Sequence, residues 1–175
     1  MQNKIKKIVI AALFAGLVFC TTFFFQIPFV AGYVHLGDCM VISAGLVLGP
    51  VYGTLAAGLG SFLSDLIGGY AQYMFPTFII KSLMALAAWC IFRFVGRSKL
   101  TMPCIMLSGV ISAVIMVAGY YITEVILVGS LAGGVASLVP NAIQGVFGVV
   151  SSALLIKLIS KNKFLREYLR VNEKR

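Results

Sequence analysis

Short charged clusters divide this chain into apolar runs that are long enough to cross a lipid bilayer. Of its 175 residues, 61% are hydrophobic and only 11% are charged, which excludes an ordinary soluble domain. The runs predict an all-α membrane protein with a single domain covering residues 1–175. The predicted transmembrane helices are 8–26, 38–49, 51–67, 75–93, 103–128 and 138–159.

The basic residues determine how many times the chain is expected to cross the membrane. Lysines and arginines cluster at the start of the chain, between residues 93 and 99, and from residue 157 onward. If residues 39–64 formed one helix, these clusters would lie on opposite sides, although basic residues tend to stay in the cytoplasm. A break at Gly49-Pro50 puts all three clusters on one side. We therefore predict six helices with both termini cytoplasmic, and with short second and third helices.

The same clusters explain the net charge of +9 without a nucleic-acid partner, because each of them flanks a predicted membrane span. Basic helix ends of this kind lie against anionic lipid. The four cysteines form no C-x-x-C pair and have no adjacent histidine. We therefore expect no metal site, no disulfide framework and no cofactor.

Under this topology the polar residues fall in the outer half of the bundle. Lys81 lies within an otherwise apolar helix, where a lysine costs about 2.5–3.5 kcal/mol on insertion scales. The inner halves of the helices are apolar, which favours a pocket open to the outside over a channel or a proton relay. We predict that the substrate site includes Lys81, Glu124, Asn141, Gln144, Tyr120, Tyr121, His35 and Asp65.

Most of these residues also have a structural explanation. Lys81 could simply pair with Glu124 or with Asp65 to neutralise buried charge, although we favour a role in the pocket. Asp38 and Asp65 lie at helix ends and could be caps, and His35 could be a solvated loop residue. Asn141 and Gln144, expected in the first turn of the sixth helix, could hold a heterocycle or bridge helices instead.

A stripe of small residues lies near the start of the first helix. Such residues allow helix backbones to approach closely in lipid. The stripe is therefore either internal packing or a docking surface for another membrane protein. Its members are Ala11, Ala12, Ala15 and Gly16.

Five segments, taken in order, resemble the S components of energy-coupling-factor (ECF) vitamin transporters of prokaryotic cell membranes. They are Gly-Tyr-Val-His-Leu-Gly-Asp (32–38), Leu-Gly-Pro-Val-Tyr-Gly (48–53), Ser-Asp-Leu-Ile-Gly-Gly-Tyr (64–70), Pro-Thr-Phe-Ile-Ile-Lys (76–81) and Pro-Asn-Ala-Ile-Gln (140–144). The nearest branch is the riboflavin-type group, which also holds pyridoxine and hydroxymethylpyrimidine carriers.

The resemblance implies six helices with an outward vitamin pocket formed by helices four to six and the first outer loop. It also implies that Ala11 and Ala15 face a transmembrane coupling subunit, and that two separate ATPase subunits hydrolyse the nucleotide. The chain itself contains no G-x-x-x-x-G-K-[ST] loop. The resemblance further implies that the whole subunit topples in the membrane to release its substrate.

The expected function is therefore capture of a small vitamin or precursor, hydroxymethylpyrimidine or pyridoxine-like, for an ECF-type ABC importer. One alternative is a riboflavin-specific S component. Another is a membrane hydrolase that uses Asp38, Asp65 and His35 at the outer interface, which one histidine and two separated aspartates support only thinly. A stand-alone secondary carrier is disfavoured by the apolar inner half.

Overall fold

The computed structural model describes residues 2–29 and 32–160. These residues form six α-helices and a two-stranded antiparallel hairpin, and a π-helical turn, Ile91–Val95, continues the fourth helix. The elements are α1 (Gln2–Phe23), β1 (Ile27–Phe29), β2 (Gly32–Val34), α2 (Gly37–Leu48), α3 (Pro50–Ile67), α4 (Met74–Cys90), α5 (Met102–Val128) and α6 (Leu131–Ile159). The all-helical membrane architecture is confirmed, and the β1–β2 hairpin occupies what the sequence indicated only as a connector.

Four segments of the described chain are long and apolar enough to span a membrane. They are Lys4–Phe23, Met74–Val95, Met102–Val128 and Leu131–Leu158. The helix α2 has only 12 residues, or about 18 Å at 1.5 Å per residue, against a hydrocarbon core of about 30 Å. Six complete spans and cytoplasmic termini therefore stay predictions.

The break between α2 and α3 lies where the sequence predicted it. Gly49 has a φ of +84°, a left-handed conformation that costs glycine little. Pro50 is the first residue of α3, a position at which its missing N–H is not needed. These two residues reverse the chain and make α2 and α3 a helical hairpin.

The alternating helix directions give the bundle two chemically different ends. Ile10 and Phe14 of α1 pack against a buried cluster that includes Leu48, Phe92 and Ile156. The start of α1, the α2–α3 turn, the α4–α5 connection and the end of α6 therefore share one end. We name it the basic end, because its described cations are Lys4, Lys6, Lys7, Arg93, Arg97, Lys99 and Lys157. The opposite end, the polar end, carries the described acidic residues, Asp38, Asp65 and Glu124.

The helix α6 begins seven residues earlier than predicted. Gly129, with a φ of +70°, ends α5, and the Ser130 hydroxyl accepts a hydrogen bond from the Gly133 N–H at 3.4 Å. This serine supplies the N-cap of α6, so Pro140 lies inside the helix. The placement of Asn141 and Gln144 in the first turn is therefore wrong, since both lie about three turns into α6.

Glycines set the closest contacts between helices, which makes their effect on stability testable. A Cβ atom at Gly45 would overlap the backbone carbonyl of Ala85 on α4, whereas one at Gly16 on α1 would have no neighbour within 4 Å among residues 2–29 and 32–160. Gly45→Ala should lower the free energy of unfolding by about 1–3 kcal/mol, because it forces α2 away from α4. Thermal unfolding in detergent measures the change.

The matched control is Gly16→Ala, which should be neutral or slightly stabilising because alanine favours a helix more than glycine does. Equal effects of the two substitutions would mean that α2 and α4 are not in backbone contact.

Candidate substrate site

The antiparallel helices α4 and α5 meet through polar contacts that repeat every four residues. Four residues make about one helical turn, so the participating side chains of each helix lie on one face. We call this series the α4–α5 ladder. Its three rungs are Tyr73 Oη donating to Glu124 Oε1 at 2.7 Å, the hydroxyls of Thr77 and Tyr120 at 3.1 Å, and Lys81 Nζ to Met116 Sδ at 3.4 Å.

Toward the basic end, small hydroxyls replace the large polar groups between α4 and α5. Ser112 Oγ donates to the Met84 carbonyl at 2.9 Å, and Ser108 Oγ, which donates to the Cys104 carbonyl of its own helix at 2.8 Å, lies 3.3 Å from the Ala88 carbonyl. A serine that bonds a backbone carbonyl is satisfied within the protein. Large polar groups that a substrate could contact are therefore concentrated in the part of the ladder near the polar end.

A buried polar network centred on Asp38 lies beside the ladder. Asp38 Oδ1 forms an ion pair with Lys81 Nζ, and Asp38 Oδ2 accepts a hydrogen bond from Gln144 Nε2 at 2.8 Å. Gln144 Oε1 in turn accepts the His35 backbone N–H at 3.1 Å. Lys81 is 0% exposed, and Asp38 and Gln144 are each 1% exposed. We call these four residues the Asp38 network, and it connects α2, α4 and α6 with the segment that precedes α2.

Gly148 allows α6 to approach α2 closely enough for Gln144 to bond to Asp38. Gly148 lies one turn beyond Gln144 on the same face of α6, and a Cβ atom there would lie 2.9 Å from Asp38 Cβ. Any larger residue at this position would push α6 away from the start of α2. The close approach therefore depends on Gly148, and it lets Gln144 reach both Asp38 and His35.

His35 is a neutral member of the network. Its Nδ1 accepts the Gly37 N–H at 2.9 Å, and its Nε2 lies 3.3 Å from Gln144 Nε2. Burial, reinforced by the positive charge of Lys81, lowers the pKa of this loop histidine from 6.5 to about 3. The imidazole is therefore uncharged at physiological pH and is buried, in contrast to the solvated loop residue that the sequence left open.

The structure brings together some of the predicted site residues and separates others. Lys81, Gln144 and His35 surround Asp38, and Lys81 forms its ion pair with Asp38 rather than with Glu124 or Asp65. Glu124 and Tyr120 lie on the ladder face of α5. These contacts give the bundle one continuous polar region.

The hydrogen bonds described above do not include the other three predicted residues. Asp65 is buried at the polar end of α3, with 2% of its surface exposed. Asn141 Nδ2 donates to the Ser137 carbonyl within α6 at 2.9 Å. Tyr121 lines a groove between α5 and α6, because adjacent residues of a helix point about 100° apart.

Four residues of the polar region lie outside the predicted site. They are Asp38, which its position at a helix end also suits to capping, and Tyr73, Thr77 and Met116. Their spacing is a signal in the sequence, since Tyr73, the residue before α4, lies four residues from Thr77 and eight from Lys81, and α5 carries Met116, Tyr120 and Glu124 at the same interval. Among the described residues, no group of three histidine, cysteine or acidic side chains is placed to hold a metal ion.

The small-residue stripe of α1 has two different sides. Ala11 and Ala15 pack against the buried cluster at the basic end, and a Cβ atom at Gly60 of α3 would overlap the Ala15 carbonyl. Ala12 and Gly16 are exposed. One side of the stripe therefore contributes to internal packing, and the side with Ala12 and Gly16 is the more exposed one.

Comparison with known proteins places this architecture in a family. Residues 2–161 match the family model of the S component of the ECF-type riboflavin transporter. The thiamine precursor transporter HmpT of Lactococcus lactis subsp. cremoris (strain MG1363) is 29% identical over 172 residues, which cover 96% of each chain. An uncharacterized protein of the gap 3' region of Pyrococcus woesei is 30% identical over 143 residues, covering 81% of this chain and 93% of that protein.

Two solved structures share the fold. The S component of a bacterial ECF transporter superposes with a TM-score of 0.71 at 20% identity, covering 92% of this chain and 98% of the other. The S component for biotin from an ECF-type ABC transporter also gives 0.71, at 16% identity, covering 96% and 97%. Since the family model spans nearly the whole chain, and the helical architecture agrees with it, this protein belongs to the S components of ECF transporters.

Proposed function

We propose that this chain captures a small vitamin precursor with a single aromatic ring, hydroxymethylpyrimidine or a pyridoxine-like compound, for an ECF-type importer. The observation that carries this proposal is the similarity to HmpT over 96% of both chains, because HmpT is named as a thiamine precursor transporter. The importer would also contain a transmembrane coupling subunit and two ATPase subunits. The chain would work in the cell membrane of a prokaryote.

The proposed substrate position is the outermost part of the α4–α5 ladder. Glu124 would accept hydrogen bonds from amino or hydroxymethyl groups, and the rings of Tyr73 and Tyr120 would stack on a heterocycle. Entry there displaces the Tyr73–Glu124 hydrogen bond, which is one interaction of about 0.5–1.5 kcal/mol. It leaves the buried ion pair of Asp38 and Lys81 intact.

In this arrangement the Asp38 network lies at the inner end of the site, on the side of the basic end. Lys81, Gln144 and His35 already bond to partners within the protein, so their contacts with a ligand would be made from fixed positions. Preorganised polar groups of this kind favour specificity, because they need no rearrangement to meet the ligand. Asn141, which bonds within α6, would contribute only at the margins of the site.

Riboflavin is the second candidate substrate, since the matching family model carries its name. A three-ring flavin is much larger than a pyrimidine. It would have to separate the Thr77–Tyr120 rung and approach the Lys81–Met116 rung as well. The single-ring substrate disturbs fewer contacts and is the better fit to the ladder.

The hydrolase alternative is less well supported. Asp38 is committed to Lys81 and Gln144, and His35 is buried within the same network. A hydrolase would need an activated nucleophile or a metal-bound water within reach of such a base. The family described above consists of transporter subunits, which also weighs against an enzyme.

We also propose that the basic end faces the cytoplasm. It carries every described cation other than Lys81, and positive residues are retained on that side of the membrane. The substrate site at the polar end would then open to the outside. This orientation suits a subunit that captures its ligand before the coupling subunits move it.

The proposed function is tested with the purified chain in detergent. Co-purified small molecules are identified by mass spectrometry, and the affinities of hydroxymethylpyrimidine, pyridoxine and riboflavin are measured by calorimetry. We expect one of the single-ring compounds to bind at least about tenfold more tightly than riboflavin, a difference of about 1.4 kcal/mol. Tighter binding of riboflavin would support the riboflavin alternative, and ester hydrolysis without binding of any of the three would support the hydrolase.

Adjacent tyrosines on α5 provide a matched test of the site. Tyr120→Leu removes a ring that we propose stacks on the substrate and should weaken substrate binding about 3- to 10-fold, the value of one aromatic pair. Tyr121→Leu removes the same kind of ring one residue away, in the α5–α6 groove, and should leave the affinity unchanged. Equal effects on the calorimetric affinity would place the substrate elsewhere.

A further inference from the structure

A long apolar groove lies between α5 and α6 on the side of the bundle, where the surface would face lipid. Its volume is about 910 Å³, and along α5 it runs from Met106 to Tyr121. Fifteen residues of helix correspond to about 22 Å, which exceeds the thickness of one leaflet of the hydrocarbon core, about 15 Å. The groove is therefore long enough to hold one complete acyl chain.

Small residues form the floor of this groove and larger ones form its rim. A Cβ atom at Gly145 would lie 2.9 Å from Ala113 Cβ, so α5 and α6 are in close contact there. Val114 and Val146 stand at the edges, 60% and 64% exposed. The lining contains almost no polar atoms and opens to the outside of the bundle, where acyl chains lie and where a polar vitamin precursor would gain no hydrogen bonds.

A second, smaller pocket lies at the basic end of α5 and α6 and contains a positive charge. This pocket has a volume of about 180 Å³ and is lined by Leu100, Met102 and Ile105 with Lys157 and Ser160. Met102 lies one turn before Met106 on α5, and Lys157 lies two turns beyond Val150 on α6, so these two residues extend the helix faces that line the groove. The acidic residues of the described chain are all at the polar end.

We infer that the α5–α6 seam binds one anionic phospholipid. An acyl chain fills the apolar groove, and the headgroup phosphate accepts a hydrogen bond from Lys157. The charge determines this choice of occupant, because an ammonium at the basic end of an apolar groove complements a phosphodiester with its attached chain. An apolar helix of another protein would leave Lys157 without a counter-charge. The inference does not depend on which vitamin the chain captures.

Native mass spectrometry of the purified full chain tests this site, with phosphatidylglycerol and phosphatidylcholine of the same acyl chains as the probes. We expect one phosphatidylglycerol to be retained about fivefold more strongly than phosphatidylcholine, the factor that one lysine gives near an anionic lipid surface. Lys157→Gln should abolish this preference, and Lys4→Gln, also at the basic end, should preserve it. An unchanged preference in Lys157→Gln would overturn the assignment of the headgroup.

The groove itself is tested by filling it. Ala142 lines the groove, and its neighbour Ile143 does not, although both are exposed. Ala142→Trp should reduce lipid retention severalfold and remove the increase in melting temperature that phosphatidylglycerol produces, and Ile143→Trp should change neither. Equal lipid retention by both variants would overturn the proposal. So would a dimer of the wild-type chain that carries no lipid and that Ala142→Trp dissociates.

Discussion

Replacing Lys81 by methionine should destabilise the protein by about 3–5 kcal/mol, the range for removal of one partner from a buried ion pair. Asp38, 1% exposed, would keep a buried carboxylate that has lost its ion pair and retains the hydrogen bond from the Gln144 amide. The sequence favoured a role for Lys81 in the pocket. Its ion pair with Asp38 makes loss of stability the larger expected effect. Thermal unfolding in detergent, followed through the single tryptophan, Trp89, measures it.

The double variant Asp38→Asn with Lys81→Met is the control for this prediction. It removes both charges and should be more stable than either single variant, because neither charge is left uncompensated. Substrate affinity of the double variant then reports any direct contact of the pair with the ligand. A Lys81→Met variant as stable as the wild type, with weakened substrate binding, would show that Lys81 acts on the ligand instead.

Two tryptophans on the open side of the α1 stripe should abolish substrate uptake by cells and leave binding to the purified chain intact. The variant is Ala12→Trp with Gly16→Trp. Both positions are exposed, and a Cβ atom at Gly16 has no neighbour within 4 Å in the described part of the chain, so the tryptophan side chains should point away from the bundle. Only small side chains permit the close helix crossing expected with a coupling subunit. Uptake of radiolabelled substrate and co-purification of the coupling subunits are the measurements.

The choice of these two positions matters for the interpretation. Ala11→Trp with Ala15→Trp would disturb α1 against α3, because Ala15 lies against Gly60, and lost uptake could then reflect misfolding. Ile122→Trp with Ile126→Trp is the matched control, since both residues are exposed on α5 at the same spacing. Normal uptake by the Ala12 and Gly16 variant would place the docking face elsewhere on the bundle.

Local chemistry was sufficient to predict the helices and the break between α2 and α3. Long apolar runs leave few alternatives to helices in a bilayer, because every backbone polar group must be satisfied internally. Gly49 and Pro50 act through their own backbone preferences. The start of α6 was missed because Pro140 resembles a first-turn proline, whereas the Ser130 cap lies ten residues earlier. A proline inside a membrane helix is tolerated where neighbouring groups compensate.

The sequence by itself determined the membrane class, the hairpin at Gly49 and the concentration of polar residues at one end, since these follow from composition and local backbone preference. Tertiary packing decided which acid pairs with Lys81 and which tyrosine, Tyr120 or Tyr121, belongs to the α4–α5 ladder. Those choices depend on helix rotation, about 100° per residue, and on axial shifts, about 5.4 Å per turn. Both are set by contacts between residues distant in sequence, such as Gly45 with Ala85 and Gly148 with Asp38.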